Sequence, residues 1–196
     1  MPKRIMVDLH SHDCGSIRDS IATPEQNASR AKEMGSDAVA VTNHGTMLTV
    51  PKHIDACCKH GIKPIIGVEM YETDNRRETD HHYHFLLIAL DKGGYRNLME
   101  IVSDANLNGF KRKPRTDDSV YTRLGKGILA SSGCLASRIP RYIQKGELDK
   151  AREWAVKMQS AFEMFVMEIQ INEVPLQRSV NREVIKLAQE LGIDLI

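Results

Sequence analysis

Between Met6 and Glu69, short apolar runs alternate with capped helical segments, and few folds accommodate that order. Thr23-Pro24-Glu25-Gln26 predicts a helix start: Thr as N-cap, Pro at the first helical position, and Gln closing a capping box. That helix runs to Met34 and stops at Gly35. The next run, Ala38-Val39-Ala40-Val41-Thr42, is apolar almost throughout, as suits a strand buried on both faces. A second helix is expected over Val50 to His60, stopped by Gly61, and Ile62 to Glu69 reads as a strand. With Met6 to His12 as an opening strand, the order is βαβαβ. Such an order predicts parallel strands with right-handed crossovers, and ligands collect beyond the carboxyl ends of those strands.

The chain continues with a change of rhythm. Too few residues separate the strand ending near Tyr71 from the one at Tyr83 to Leu90 for a crossover helix, so an antiparallel hairpin around Arg76 and Arg77 is expected. In that register Glu69 and His84 face one another, and His81 and His82 extend the hairpin. A helix over Gly93 to Asn108 follows, then a strand at Gly127 to Ser131, helices at Leu135 to Gln144 and Leu148 to Phe162, a strand at Phe165 to Ile169 and a helix from Val174 to Leu191. Asp194-Leu195-Ile196 looks like a strand just beginning. One domain over residues 1–196 is the expectation, since 196 residues suffice for one sizeable core.

Composition narrows the function classes. No apolar run approaches the roughly 20 residues of a membrane span, and the apolar segment after Met1-Pro2-Lys3-Arg4 is too short for a signal peptide, so a cytoplasmic protein with no membrane partner is expected. Cys14, Cys57, Cys58 and Cys134 lack paired metal spacing and would stay reduced in that compartment. A formal net charge of +1 argues against nucleic-acid binding by the whole surface and leaves local patches. The best is Lys111-Arg112-Lys113-Pro114-Arg115, which reads either as a solvated loop held out of helix by Pro114 or as a nucleic-acid contact through Lys111, Arg112, Lys113 and Arg115.

Candidate chemistry gathers at strand ends. His10 and His12 alternate to the same face of the opening strand, their Cα atoms about 7 Å apart, so both imidazoles can serve one metal or two neighbouring ones. A His-x-His alone is as readily two exposed histidines. Asp19, His44, Glu69, His84 and Cys134 fall at the same end of successive strands. So many nitrogen, oxygen and sulfur donors exceed the four of a closed structural zinc site and suggest two or three divalent ions (Zn, Mn or Fe), an arrangement suited to phosphoester hydrolysis. His53 and His60 lie on a helix beside Cys57 and Cys58 and are read as exposed helix residues.

Asp8-Leu9-His10-Ser11-His12, Thr42-Asn43-His44-Gly45 and Gly67-Val68-Glu69 resemble successive motifs of the PHP (polymerase and histidinol phosphatase) superfamily. Gly61-Ile62-Lys63-Pro64-Ile65-Ile66-Gly67, Gly94-Tyr95-Arg96-Asn97-Leu98, Lys113-Pro114-Arg115 and Ser132-Gly133-Cys134-Leu135-Ala136 are similar, more narrowly, to the PHP domain that begins the alpha subunit of bacterial DNA polymerase III. The resemblance covers essentially the whole chain. It implies a distorted (β/α)7 barrel, a trinuclear metal site with His10, His12, Asp19, His44, Glu69, His84 and Cys134 as ligands, and DNA and other replicase subunits as partners. It further implies a metal-dependent 3′–5′ exonuclease or phosphatase activity in some members and a scaffold role in others. Asn43 stands where the family usually carries Asp, and its amide is expected to orient the His44 imidazole. Because the sequence stops at Ile196, before the strand that in the family carries an Asp-x-His pair, the barrel is expected to be incomplete at that end. No polymerase motif follows, so the chain is not expected to polymerise DNA by itself. Three functions remain open: a metal-dependent phosphodiesterase domain of a replicative polymerase, a stand-alone phosphatase acting on a small phosphoester, and a non-catalytic module that binds partner subunits.

Overall fold

The structure, a computed structural model, describes residues 6–78 and 81–196. The chain forms two compact units that meet in sequence between Glu69 and Met70.

In the first unit, helix α1 (Pro24–Glu33) begins with the expected capping box: the Gln26 N–H donates to the Thr23 hydroxyl at 3.2 Å, and the Thr23 N–H donates to Gln26 Oε1 at 2.8 Å. Strand β1 (Ala38–Val41) is buried along its whole length, and helix α2 (Val50–His60) ends at Gly61, whose φ of +63° is a left-handed stop that suits glycine. Strand β2 (Lys63–Glu72) runs parallel to β1 in the register Ala38↔Lys63 to Val41↔Ile66.

The opening strand is shorter than expected. Asp8 makes one parallel bridge to Val39, after which the contact continues through the Ala40 N–H to Asp8 O and the Thr42 N–H to Ser11 O, with the Ser11 hydroxyl donating to Ala40 O at 2.6 Å. The reason lies in Asp8, whose Oδ1 accepts the His10 N–H at 3.0 Å and diverts the backbone from a regular ladder. Ala28, Val39, Ala56, Cys57 and Ile62 form the core between the helices and the strand. His53 and Cys57 belong to that interior, which corrects the expectation of exposed helix residues. Val39 O lies 3.1 Å from His53 Nε2, and burial lowers the imidazole pKa and pushes the Cys57 thiol up to about 11.

The second unit holds β3 (Tyr83–Ala89), α3 (Lys92–Asn108), β4 (Phe110–Lys111), β5 (Lys113–Thr116), α4 (Asp118–Leu124), β6 (Ile128–Ser131), α5 (Arg138–Gln144), α6 (Leu148–Ala161), β7 (Met164–Val166) and α7 (Pro175–Leu191). The strand order is β4-β5-β2-β3-β6-β7, with β2 taking part here through its last residues, Tyr71↔Arg115 and Glu72↔Thr116. As expected, β2 and β3 are neighbours with no helix between them among the described residues, although residues 79 and 80 lie outside these. β3 runs antiparallel to β6, which is parallel to β7. Phe85 anchors this core, with its ring centroid 5.2 Å from both Tyr121 and Trp154 and 5.5 Å from Phe162 in edge-on contacts.

Three readings change here. The basic stretch is not a loop but a tight antiparallel hairpin, β4 and β5, turning at Arg112 with φ +63°. Strand alternation puts Arg115 on the buried side, where its Nε–H donates to Gly109 O at 3.2 Å and Nη2–H to Arg76 O at 2.6 Å, so it is no surface contact for nucleic acid. Asp117 caps the unanticipated α4 by accepting the Ser119 N–H. Asp194 to Ile196 lies along Met167 to Ile169, joined by three backbone hydrogen bonds of 2.8–2.9 Å. No helix among the described residues is long and apolar enough to cross a membrane.

Candidate metal centre

In the first unit, His10, His12, Asp19 and His44 converge on Glu69, a carboxylate only 1% exposed. β2 supplies Glu69, and the 43–45 segment beyond β1 runs beside it: the Glu69 N–H donates to Asn43 O and the Gly45 N–H to Glu69 O, which sets His44 directly across from the carboxylate. Glu69 Oε1 lies 3.3 Å from His10 Nε2, while Oε2 lies 3.2 Å from His12 Nε2 and 3.0 Å from His44 Nδ1. The other nitrogen of His44, Nε2, is 3.1 Å from Asp19 Oδ2, which is 3.8 Å from His12 Nε2. Arg18, with φ +75°, turns the loop that brings Asp19 in. The His12 and His44 rings stack at 4.5 Å, and the His10 ring meets His12 edge-on at 5.4 Å.

A hydrogen-bond network beneath these rings fixes how His12 presents itself. The Asp13 N–H points at Asn43 Oδ1 (3.0 Å), so that atom is oxygen and the amide nitrogen must face Asp13 Oδ1 (2.7 Å) and Thr49 Oγ1 (2.8 Å). Ser16 Oγ touches three atoms: Asn43 Oδ1 at 2.9 Å, the His44 N–H at 3.0 Å and His12 Nδ1 at 3.1 Å. Asn43 Oδ1 can only accept, so it takes the single Ser16 hydroxyl proton. The oxygen of Ser16 then accepts from His44 N–H and from His12, whose proton must sit on Nδ1. Consequently the Nε2 lone pair of His12 faces Glu69 Oε2 at 3.2 Å.

With the ring neutral, two electron-rich atoms face one another there, and a cation between them would balance both. The donor separations of 3.0–3.3 Å around Glu69 also match the edge of about 3.4 Å expected between donors held about 2.1 Å from one tetrahedral ion. The residues present therefore fit a divalent cation, with His10, His12 and Glu69 as one donor group and His12, Asp19 and His44 as another.

Asn43 works differently from the expectation. Its amide does not orient the His44 ring; it holds Ser16, which sets His12. Asp13, Ser16 and Thr49, none of them singled out from sequence, complete this layer. The local signal was Asp13-Cys14-Gly15-Ser16, a turn in which Asp13 Oδ1 accepts the Gly15 N–H at 2.7 Å. A Cβ at Gly15 would lie 2.6 Å from Asn43 Nδ2 and 3.0 Å from Asp13 Oδ1, so the network closes only around glycine.

In the second unit, His84 on β3 and Cys134 after β6 come together with Nδ1 3.7 Å from Sγ. Gly133, at φ +66°, makes the turn that delivers Cys134, and a Cβ there would strike Ser137 Oγ at 2.3 Å. Of the basic hairpin, Lys111, Arg112 and Lys113 remain exposed. The Lys113 ammonium donates to the Tyr71 hydroxyl at 3.1 Å and lies 4.9 Å from the Tyr71 ring centre.

Comparison with known proteins agrees with this picture. The chain is 32% identical to a DNA polymerase III subunit alpha of Treponema pallidum over 205 aligned residues, covering 100% of the chain and 18% of that protein. The subunit of the same name from Aquifex aeolicus is 34% identical, with 97% and 18% covered, and that from Helicobacter pylori is 36% identical, with 96% and 17% covered. The chain thus spans under one fifth of the length of these relatives. In fold, it superposes with a TM-score of 0.64 on an amidohydrolase from Chromobacterium violaceum, at 14% identity over 96% of this chain and 84% of that one. A Bifidobacterium adolescentis protein described as a metal-dependent phosphoesterase gives 0.61 at 16% identity, covering 100% and 87%, and the α/β fold class expected from the sequence is the one these structures share. The PHP domain profile matches residues 8–172, a span that includes every donor from His10 to Cys134, and this chain belongs to the PHP domain family.

Proposed function

We propose that this chain is a metal-dependent phosphodiesterase domain of the kind carried by DNA polymerase III alpha subunits, acting on DNA ends in replication with a 3′–5′ polarity. Its ligands in this reading are His10, His12, Asp19, His44 and Glu69 in the first unit and His84 and Cys134 in the second. The observation that carries it is the His12 Nε2 lone pair held against Glu69 Oε2 at 3.2 Å by a hydrogen-bond network that leaves the imidazole no other tautomer.

A divalent cation bound there supplies Lewis acidity toward a phosphoryl oxygen and activation of water at neutral pH. The protein does the positioning. Glu69 presents its two oxygens to different imidazoles, His10 on one side and His12 with His44 on the other, so it can serve two ions at once. Burial keeps water from competing for those oxygens. The Asp19 side chain is half exposed and forms the solvent side of the cluster, where a substrate can enter.

Elemental analysis of chain prepared without chelator tests the metal reading, and Mn- or Zn-supplied turnover of a 3′-labelled single-stranded oligonucleotide tests the chemistry, with His12→Ala as the control for contaminating nuclease. At least one equivalent of transition metal and turnover lost in His12→Ala are expected. Less than one equivalent, with melting unmoved by added Zn or Mn, refutes the metal reading. Metal uptake with turnover only of a small phosphoester, or with none, replaces the phosphodiesterase by a phosphatase or by a non-catalytic module.

A further inference from the structure

The second unit contains a cavity of about 410 Å³ whose wall includes His81, His82, Tyr83, His84, Arg141 and Lys145, with no carboxylate among its described lining residues. We infer that it is a phosphate-binding subsite, taking one phosphate group of the substrate beside the His84–Cys134 pair; this rests on the reading of the chain as a phosphoesterase.

The basic groups are placed rather than scattered. Arg141 and Lys145, four residues apart at the end of α5, project from the same side of the helix. Both are exposed, and among the described residues neither forms an ion pair; the Arg141 guanidinium donates only to Gln144 Oε1, at 3.3 Å. Glu72 and Asp74, at and just past the end of β2, are taken by Arg138, which donates to Glu72 at 2.6 and 2.7 Å and also to Asp74. Tyr71 organises the facing histidines, its ring 5.0 Å from His82 and 5.7 Å from His84 in edge-on contacts, and its hydroxyl receives the Lys113 ammonium. Imidazole donors from the segment entering β3 and guanidinium and ammonium donors from the end of α5 thus approach from two sides, an arrangement suited to the several oxygens of a tetrahedral phosphate, whereas a planar carboxylate would be met by one bidentate arginine. The volume falls in the range of about 300–1,000 Å³ usual for small-molecule sites, more than a bare phosphate fills, so the group enters attached to a sugar or other residue.

Binding to the metal-free chain in excess chelator tests the subsite independently of the metal reading. The probes are inorganic phosphate, AMP and a short fluorescein-labelled single-stranded oligonucleotide. They are compared in the parent, in the double variant Arg141→Gln/Lys145→Gln, and in Lys150→Gln/Lys186→Gln, which loses the same charge elsewhere. The parent and the control are expected to bind saturably and the cavity variant at least about tenfold more weakly, with Zn uptake the same in all three. If the oligonucleotide is the ligand, its salt dependence should also flatten by about 0.7 in log–log slope, the value for one phosphate contact on a single strand. Displacement of the oligonucleotide by phosphate would identify a strand phosphate as the occupant, and binding of phosphate and AMP alone a small ester. Equal affinities in the cavity and control variants, or no saturable binding of any probe by the parent, overturns the subsite. Failure of the parent to take up Zn, with phosphate binding still dependent on Arg141 and Lys145, refutes the metal reading and leaves the subsite standing.

Discussion

Removing the Ser16 hydroxyl is the most direct probe of the network under the metal donors. Ser16→Ala leaves every proposed ligand in place but deletes three contacts at once: to Asn43 Oδ1, to the His44 N–H and to His12 Nδ1. Asn43 Oδ1 keeps the Asp13 N–H, so the main uncompensated group is the part-buried His44 N–H, at a cost of about 1–3 kcal/mol. At about 2–4 °C per kcal/mol for a chain of this size, a loss near 2 kcal/mol lowers the melting temperature by about 4–8 °C. The second effect is on metal affinity. Without an acceptor at Nδ1, the His12 proton can move to Nε2, the atom meant for the metal, and outer partners of this kind are worth about 10–100-fold in affinity, or about 1.4–2.7 kcal/mol. Competition of Zn against a chromophoric chelator gives the affinity, and calorimetry the stability. Ser29→Ala, which removes an exposed hydroxyl bonded to Glu33 on α1, is the control. A variant that melts lower but binds Zn within twofold of the parent would show that the hydroxyl is only structural and would refute the tautomer argument.

Three further outcomes follow from burial. His53, whose pKa is lowered by burial despite its bond to Val39 O, stabilises the fold as the neutral imidazole; that contribution is present above about pH 6.5 and is lost as pH falls through the lower folded-state value, so urea titrations of the metal-free chain from pH 7 to 5 should show a decline that His53→Gln flattens. Cys57, buried and raised to about 11, should resist iodoacetamide at pH 8 while exposed Cys14 and Cys58 react, as peptide mapping would reveal; labelling of Cys57 at the rate of Cys58 would contradict the packing. Arg138→Met strands Glu72 in the interior, where burial already pushes its carboxyl up to about 7 against two opposing guanidinium bonds, and should cost about 3–5 kcal/mol at pH 8 and less at pH 5, where the carboxyl can take a proton; equal losses at the two pH values would count against the ion pair.

How much of this was legible in the sequence depends on where the determining chemistry lies. α1 and α2 follow their expected bounds to within a residue because their stops are local: a capping box at Thr23, left-handed glycines at Gly35 and Gly61. The opening strand failed for an equally local reason, the Asp8 side chain bonding to the His10 N–H, but that bond competes with a ladder whose strength depends on β1. The β4–β5 hairpin was hidden by charge. Its basic residues suggest a solvated loop, whereas β5 is held by its pairing with β2 and by the two carbonyls that satisfy Arg115. α4 carried a readable cap at Asp117 and apolar residues at Val120, Tyr121 and Leu124, yet seven residues are too few for periodicity to stand out beside that run.

The site divides along the same line. Donors at strand ends are visible one by one, since a histidine after an apolar run is a sequence pattern; the layer beneath them is not, because it exists only where the 13–16 turn meets Asn43 and Thr49. Position 43 illustrates the difference. As a ligand-orienting residue, an amide looks like a weakened carboxylate. In the structure the amide is needed as both acceptor and donor: its oxygen takes the Asp13 N–H and the Ser16 hydroxyl, and its nitrogen gives to Asp13 Oδ1 at 2.7 Å and to Thr49. A carboxylate can only accept, and in the same rotamer it would set two buried carboxylate oxygens against each other at that distance. Asn43 therefore lets Asp13 stay buried while Ser16 remains committed as an acceptor toward His12. It is His12, through Ser16, that the network prepares for a cation.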